Sequence, residues 1–149
     1  PRIVVDGRLR LSPASRLVQS IDEAPLWIVT QAGHATDLRG PLEEAGAEIV
    51  EVARADVGGV DVRAAVRALA ARGLTRVLVE GGGQLAASML KEDLIDRIAW
   101  FRAPSVAGGD GLPAIAAMGI ENVSQLFEFE RLSAGMWGLD TFELLKRRR

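Results

Sequence analysis

The chain has 149 residues, of which 48% are hydrophobic, so it can form one compact domain with a core that needs no disulfide or metal. Its formal net charge of -2 excludes the basic surface that nucleic-acid binding requires. The absence of cysteine excludes disulfides and thiolate metal sites and fits a cytoplasmic location, and we predict no metal site. No apolar run reaches the roughly 20 residues of a membrane helix. We expect a cytoplasmic domain that binds neither nucleic acid nor membrane.

Strands and helices alternate along the first two thirds of the chain. Short apolar or β-branched runs, or runs that alternate apolar and acidic residues, predict strands at 3–5, 26–29, 48–52, 77–79 and 95–101. Apolar residues at helical spacing predict helices at 37–45, 60–72 and 82–91. Gly46 and Gly73 follow the first two helices and end them. This alternation predicts parallel strand pairing with right-handed crossovers.

The pattern changes after Pro104. A glycine-rich loop is followed by two long strand-like stretches, 125–132 and 137–145, and the Ala134-Gly135 turn between them predicts an antiparallel hairpin. No repeat or long linker divides the chain. The predicted fold class is therefore α/β, with a mostly parallel central sheet flanked by helices and a C-terminal antiparallel hairpin, in a single domain over residues 1–149.

The sequence Glu80-Gly81-Gly82-Gly83 joins a predicted strand to a predicted helix. Glycines let the backbone approach a ligand, and the free N–H groups of a helix start attract phosphates. The spacing is not G-x-G-x-x-G, however, and the Gly-Lys-Ser/Thr of a phosphate loop is absent. Two interpretations stay open: a nucleotide-cofactor site, or glycines that only permit tight strand-to-helix packing. Glu80 either caps the helix or faces a ligand at the carboxyl edge of the sheet.

A second corner, Asp6-Gly7, ends the first predicted strand. Parallel strands end at the same edge of a sheet, where open α/β folds bind ligands. If the strands at 3–5 and 77–79 are parallel, Asp6-Gly7 and Glu80-Gly81 lie at one edge. The sequence therefore predicts a single crevice formed by the two corners.

Several ordered segments together resemble the reductase domain of the bifunctional riboflavin-biosynthesis deaminase/reductase. They are Pro1-Arg2-Ile3-Val4-Val5-Asp6-Gly7-x-Leu9-Arg10, Leu78-Val79-Glu80-Gly81-Gly82-Gly83, Leu94-Ile95-Asp96, Ala103-Pro104-x-x-x-Gly108 and Gly138-x-Asp140. The ordered set is far more specific than any one of its members. The resemblance runs from Pro1 to about Leu145 and corresponds to the later part of that domain.

This resemblance implies a dihydrofolate-reductase-like fold and an NADPH-dependent oxidoreductase of riboflavin biosynthesis. The implied reaction reduces the ribosyl group of 5-amino-6-(5-phosphoribosylamino)uracil to a ribityl group, by hydride delivery to C1′. The family also implies a homodimer and a full-length protein fused to a zinc deaminase domain. NADPH is thus the expected cofactor, and the phosphoribosylaminopyrimidine is the expected substrate.

The resemblance also implies the roles of individual residues. Glu80 is expected to hydrogen-bond the substrate, and the residues expected at the cofactor are Gly7, Gly82, Gly83, Gln84, Leu85, Ala86, Ala87 and Ser88. Gly7 stands where the family often has a serine, so only its backbone can contact the cofactor. No side chain is assigned as a catalytic acid or base, because the cofactor carries the hydride.

The start of the chain carries a further expectation. It begins at Pro1 without a methionine and enters a strand-like run at once, and the family's opening strand, its serine, tryptophan and arginine substrate segments and the deaminase domain have no counterpart here. We therefore expect an N-terminally incomplete domain with little activity by itself.

Two alternatives remain in view. One is a related reductase of the same fold with another pyrimidine or pteridine substrate. The other is a non-catalytic assembly module, with Trp100 and Phe101 in a dimer interface.

Overall fold

A three-stranded parallel sheet, in the order β1-β2-β3, is formed by β1 (Arg2–Val5), β2 (Leu26–Gln31) and β3 (Glu48–Val52). The computed structural model describes residues 1–33, 36–56 and 58–148, apart from the side chain of Thr36. Parallel neighbours need crossover connections. Here these connections contain α1 (Arg16–Gln19) and α2 (Thr36–Glu44). Helix α2 confirms the predicted helix at 37–45, whereas α1 was not predicted.

Strand β2 is buried on both faces, which explains its nearly continuous apolar sequence. Successive side chains of a strand point to opposite faces of the sheet, and each face of this sheet has its own cluster. One buried cluster comprises Leu9, Val18, Leu26, Ile28, Leu42 and Ala47. The other comprises Val29, Val50, Val52, Ala65 and Leu69. The sheet is therefore covered by apolar packing on both sides.

Specific side-chain contacts stabilise two helices of this region. Helix α3 (Val62–Ala71) begins at the N-cap Asp61, whose carboxylate accepts hydrogen bonds from the N–H groups of Arg63 and Ala64, both at 2.9 Å. Helix α2 is tied to β3 by Arg39, which contacts Glu43 at 2.8 Å and Glu51 at 2.9 Å. The hydrogen bond to Glu43, with the negative charges of both carboxylates, raises the pKa of Arg39.

The later part of the chain forms helix α4 (Gly83–Lys91) and a three-stranded antiparallel sheet in the order β4-β6-β5. The strands are β4 (Arg97–Arg102), β5 (Phe129–Trp137) and β6 (Asp140–Arg147), and a short 3-10 helix covers Val123–Gln125. The predicted C-terminal hairpin is confirmed as the β5–β6 pair. Its sheet is separate from the parallel one.

The turn of this hairpin is not where the sequence predicted it. Trp137 pairs with Asp140, so the loop consists of Gly138 and Leu139, whereas Ala134 and Gly135 lie inside β5. Gly138 has a φ of 64°. A glycine at positive φ in the first position of a two-residue loop is typical of a type II′ turn, which matches the twist of the flanking strands.

Two predictions about the parallel sheet are wrong. Residues 77–79 form no regular strand, and the side chain of Leu78 is 82% exposed. Strand β4 pairs with β6 in the antiparallel direction instead of joining the parallel sheet. A β-branched run has strand propensity, but a strand also needs a hydrogen-bonding neighbour. The fold class is confirmed, with its parallel part limited to three strands.

The chain divides into two compact units, Pro1–Val77 and Leu78–Arg149. The first contains the parallel sheet and α1 to α3. The second contains α4 and the antiparallel sheet. That residues 1–149 form a single domain stays a prediction.

Charged side chains connect the elements of the second unit. Arg147 lies 2.8 Å from the Asp93 carboxylate, donates to the carbonyl oxygen of Glu128 at 2.9 Å, and lies over the rings of Phe127 and Phe129. Across the sheet, Glu143 of β6 pairs with Arg102 of β4 at 3.0 Å and with Arg131 of β5 at 2.7 Å. Every strand of this sheet is thus held by at least one ion pair.

Candidate functional site

The glycine corner leads directly into helix α4. Gly82 is the N-cap residue, with a φ of 74°, and it has no side chain to occupy the first N–H groups of the helix. Those groups lack intrahelical acceptors in any α-helix and carry the positive end of the helix dipole. A Cβ added to Gly82 meets no atom of the described residues within 4 Å. The start of α4 therefore combines N–H donors that have no acceptor within the helix with open space at Gly82.

Gly83 differs from Gly82 in its surroundings. A Cβ at Gly83 would lie 2.5 Å from the carbonyl oxygen of Pro113 and 3.1 Å from the backbone nitrogen of Ala116. The N–H of Ala116 also donates to the carbonyl oxygen of Gly83 at 2.9 Å. Tight packing thus explains Gly83, although its partner is a loop segment and not the strand that the packing interpretation assumed.

Of the other residues predicted at the cofactor, those from Gln84 to Ser88 all lie on α4, but not on one face. Gln84 and Ser88 are exposed and lie one turn apart, so they share a face of the helix. Leu85 and Ala86 are half-buried, and Ala87 is buried with 4% exposure. The side chains of Gln84 and Ser88 are open to a ligand, while Ala87 packs into the protein.

Glu80 is exposed and precedes the N-cap Gly82 by two residues, so Glu80 is not the N-cap residue. This leaves the second interpretation of Glu80, as a side chain available to a ligand. The sequence had placed Glu80 at the carboxyl end of a strand of the parallel sheet, but residues 77–79 do not form a strand of that sheet. The predicted crevice between Asp6-Gly7 and Glu80-Gly81 has lost the strand pairing on which it depended.

The Asp6-Gly7 corner lies at the carboxyl end of β1. The Asp6 carboxylate accepts hydrogen bonds from the N–H groups of Arg10 at 2.5 Å and Leu11 at 2.7 Å, so it orders the loop that follows the strand. A Cβ at Gly7 would lie 3.0 Å from Nε2 of Gln31 and 3.1 Å from the side chain of Val60. A serine at Gly7 would therefore need these neighbours to move.

Sequence reasoning missed the neighbours of both corners. Gln31 ends β2, and the rule that parallel strands end at one edge was sufficient to place it near Gly7. The contact of Pro113 and Ala116 with Gly83 had no signal in the sequence, because it joins segments far apart in the chain. Both sets of neighbours narrow the space around the predicted site residues.

Within residues 1–33, 36–56 and 58–148, no group of three or more histidine, cysteine, aspartate or glutamate side chains is placed to hold a metal ion. Over the same residues, no helix has the length and apolar character needed to cross a membrane.

Comparison with known proteins identifies relatives over most of the chain. The family described as the RibD C-terminal domain matches residues 1–137. The chain is 32% identical over 117 residues to the 2,5-diamino-6-ribosylamino-4(3H)-pyrimidinone 5′-phosphate reductase of Archaeoglobus fulgidus, which covers 76% of this chain and 49% of the relative. It is 27% identical over 146 residues to the riboflavin biosynthesis protein RibD of Aquifex aeolicus, covering 98% of this chain and 38% of the relative.

A solved structure supports the fold. The pyrimidine reductase-like protein of Corynebacterium diphtheriae superposes with a TM-score of 0.81 at 20% identity, over 100% of this chain and 62% of the other. The chain thus spans about half or less of the length of the two curated relatives and less than two thirds of this structural neighbour.

Proposed function

The chain belongs to the RibD C-terminal domain family, and we propose that it is an NADPH-dependent reductase of riboflavin biosynthesis that acts on 5-amino-6-(5-phosphoribosylamino)uracil. The match of this family to residues 1–137 carries the proposal. The open helix start at Gly82 supports it, because a dinucleotide cofactor needs a place for its phosphates.

We place the cofactor's phosphates at the first turn of α4. The N–H groups of Gly83, Gln84 and Leu85 would donate to phosphate oxygens, and the positive end of the helix dipole would favour their charge. Gln84 and Ser88 would add side-chain contacts from the exposed face, whereas Ala86 and Ala87 would shape the helix behind them. Gly7 would contact the cofactor through its backbone alone.

The proposed reaction does not require a titratable side chain of the protein as a catalyst. A bound NADPH would supply the hydride that, together with one proton, reduces the ribosyl group at C1′ to the ribityl group. The protein's part is to hold the nicotinamide against C1′ and to exclude water. No acid or base residue is assigned to the step.

Glu80 is proposed as a substrate contact. Its carboxylate is an acceptor for ring and exocyclic N–H groups of the pyrimidine. We expect Glu80→Gln to raise the substrate KM by about tenfold, since one charge-assisted hydrogen bond contributes roughly 1.5 kcal/mol or more. The affinity for NADPH should stay unchanged in this variant, and an unchanged substrate KM would remove Glu80 from the substrate site.

A second candidate substrate is 2,5-diamino-6-ribosylamino-4(3H)-pyrimidinone 5′-phosphate, the compound in the name of the Archaeoglobus relative. Its 2-amino group and the adjacent ring N–H form a pair of donors that suits both oxygens of a carboxylate, whereas the uracil has an acceptor carbonyl at that position. The exposed carboxylate of Glu80 could accept hydrogen bonds from both of these donors. For this reason we keep the diamino compound as a second candidate substrate.

A turnover assay tests the proposed function. The protein is mixed with NADPH and with each of the two pyrimidines in turn, and the product is identified by its gain of two hydrogen atoms. Consumption of NADPH with formation of the ribityl product from the uracil supports the first candidate, and selective turnover of the diamino compound supports the second. NADPH binding without turnover of either compound would contradict both candidates and leave the two alternatives, another pyrimidine or pteridine substrate and a non-catalytic assembly module.

We propose further that the protein is a cytoplasmic homodimer and that its full-length form carries a zinc deaminase domain, as the resemblance implies. Exposed aromatic rings support the dimer. Phe101 and Trp137 are 54% and 68% exposed, with ring centroids 6.1 Å apart. The ring of Phe142, on the strand between theirs, contacts both. Light scattering tests this point. A dimer that Trp137→Glu converts to a folded monomer supports it, and a wild-type monomer contradicts it.

A further inference from the structure

The long loop after β4 is attached to the rest of the second unit at a short segment. Residues 103–122 have no helix or strand, and loops of this length without regular structure are uncommon in compact domains except where they serve a function. Nearly all of these residues are exposed; the half-buried ones are Ile115, Ala116 and Met118. The attachment therefore lies at or next to Ala116.

The partner of this segment is the first turn of α4. The N–H of Ala116 donates to the carbonyl oxygen of Gly83 at 2.9 Å, and the carbonyl oxygens of Pro113 and Ala114 lie 2.5 and 3.4 Å from the position of a Cβ on Gly83. Backbone atoms cannot move aside as the end of a flexible side chain can. The approach of residues 113–116 to α4 thus depends on the missing side chain of Gly83.

The three glycines of the corner have different surroundings. Gly81 has neither a positive φ nor a described atom within 4 Å of its Cβ position, and Gly82 has a positive φ and equally open surroundings. Gly83 has no positive φ and close backbone neighbours. Backbone conformation therefore explains the glycine at position 82, and contact with the loop explains the one at position 83.

We propose that Gly83 is a positioning residue, which seats the segment 113–116 on the first turn of α4 so that the loop 103–122 closes beside the cofactor's phosphates. The second half of this inference rests on the proposed function. Because the loop and the phosphates would share one turn of the helix, seating of the loop and binding of NADPH should favour each other. The hydrogen bond from the loop uses the carbonyl oxygen of Gly83, not the N–H that we assign to a phosphate.

Hydrogen exchange measured by mass spectrometry tests the seating without cofactor. Helix propensity alone would make Gly83→Ala stabilising, whereas the contact predicts that the hydrogen-bonded amide of Ala116, followed in peptides that span 113–117, exchanges about tenfold faster in this variant because the segment is displaced. Gly81→Ala is the matched control and should exchange like the wild type in this segment. Wild-type exchange of residues 113–117 in Gly83→Ala would overturn the proposal.

Ala116→Pro provides a second variant that leaves α4 unchanged. It removes the N–H that donates to Gly83, and with it the amide that reports on the seating. Its readout is therefore cleavage within residues 103–122 by thermolysin, which should be about tenfold faster than in the wild type. Circular dichroism establishes that each variant is folded. If Gly83→Ala does not fold, Ala116→Pro decides: faster cleavage within residues 103–122 supports the seating, and cleavage at the wild-type rate overturns it.

Addition of NADPH then tests the coupling. We expect NADPH to slow exchange over residues 103–122 in the wild type, and its dissociation constant to rise about tenfold in Gly83→Ala if the seated state falls to a tenth of the population. Binding of NADPH without any change in the loop would overturn the coupling. If the wild type binds no NADPH, the proposed function fails and the coupling with it, while the cofactor-free comparison of Gly83→Ala with Gly81→Ala still decides the seating.

Discussion

The two units of the chain are stabilised in different ways. In Pro1–Val77, the parallel sheet is buried on both faces, and Ile28 and Val29 have no exposed surface at all. In Leu78–Arg149, the buried hydrophobic residues among those described are Ala87, Met89 and Leu90, all on α4. The antiparallel sheet there has exposed apolar residues, such as Met136 and Trp137 at 68% each, and its strands are connected by ion pairs.

This difference assigns most of the folding free energy to the first unit and most of the proposed binding residues to the second. A core buried on both faces contributes most of the free energy of folding, because hydrophobic burial is its largest favourable term. The proposed cofactor corner, the long loop and the exposed rings all lie in the second unit. Loops and open surfaces carry binding residues because they are free of packing constraints. Mutations should therefore have their largest effect on stability in the first unit.

The largest expected effect comes from Ile28→Ala. Ile28 has 0% exposure and packs in the cluster with Leu26 and Leu42. Its truncation should lower the free energy of unfolding by about 2 to 5 kcal/mol, through lost burial and the cavity that remains. Urea denaturation followed by circular dichroism measures this value.

Leu78→Ala is the matched control from the second unit. Leu78 is 82% exposed, so its truncation should change the free energy of unfolding by less than about 0.5 kcal/mol. A loss as large as that of Ile28→Ala would show that residues 77–79 are buried in solution, as a strand would be, and the comparison between the units would fail.

Leu78 also illustrates what the sequence could predict. Strands β1 to β3 and helices α2 to α4 were predicted because their signals are local: β-branched runs, helical spacing and a glycine after the helix. Residues 77–79 have the same local signal as β1, but a strand depends on a partner that propensity does not identify. Likewise Gly135 and Gly138 are equivalent turn candidates by sequence, and only strand register places the turn at Gly138.

The candidate site was predictable to a similar extent. The helix start after Glu80-Gly81-Gly82-Gly83 was predicted from glycines that precede a helical pattern, and the structure confirms a helix from Gly83. The different surroundings of Gly82 and Gly83 were not predictable, because they depend on Pro113 and Ala116. Whether the predicted residues bind substrate and cofactor stays a prediction.

Arg147→Ala tests the ion pairs of the second unit. Arg147 is 17% exposed and contacts Asp93, the carbonyl oxygen of Glu128 and two phenylalanine rings, so its removal should cost about 2 kcal/mol of unfolding free energy. Arg131→Ala is the control, because Arg131 is 64% exposed and its pair with Glu143 should contribute less than about 1 kcal/mol. If thermal unfolding shows equal losses of unfolding free energy in the two variants, burial of the arginine does not determine how much its contacts stabilise this unit.

A smaller effect is expected at the start of α3 in the first unit. Asp61→Ala removes two hydrogen bonds to the N–H groups of Arg63 and Ala64 and should cost about 1 kcal/mol. Asp61→Asn retains an acceptor and should cost less. Urea denaturation of both variants distinguishes the cap from a general charge effect, which would make the two losses equal.

Calorimetric titration with NADPH and NADH tests the cofactor site at the start of α4 most directly, with two variants of Gly82. Gly82→Ala strains the positive φ and adds only a methyl group, whereas Gly82→Val adds a branched side chain above the helix start. We predict that the wild type binds NADPH more tightly than NADH and that Gly82→Val weakens NADPH binding at least about tenfold more than Gly82→Ala. Equal NADPH affinity in all three folded proteins would contradict a cofactor site at this corner.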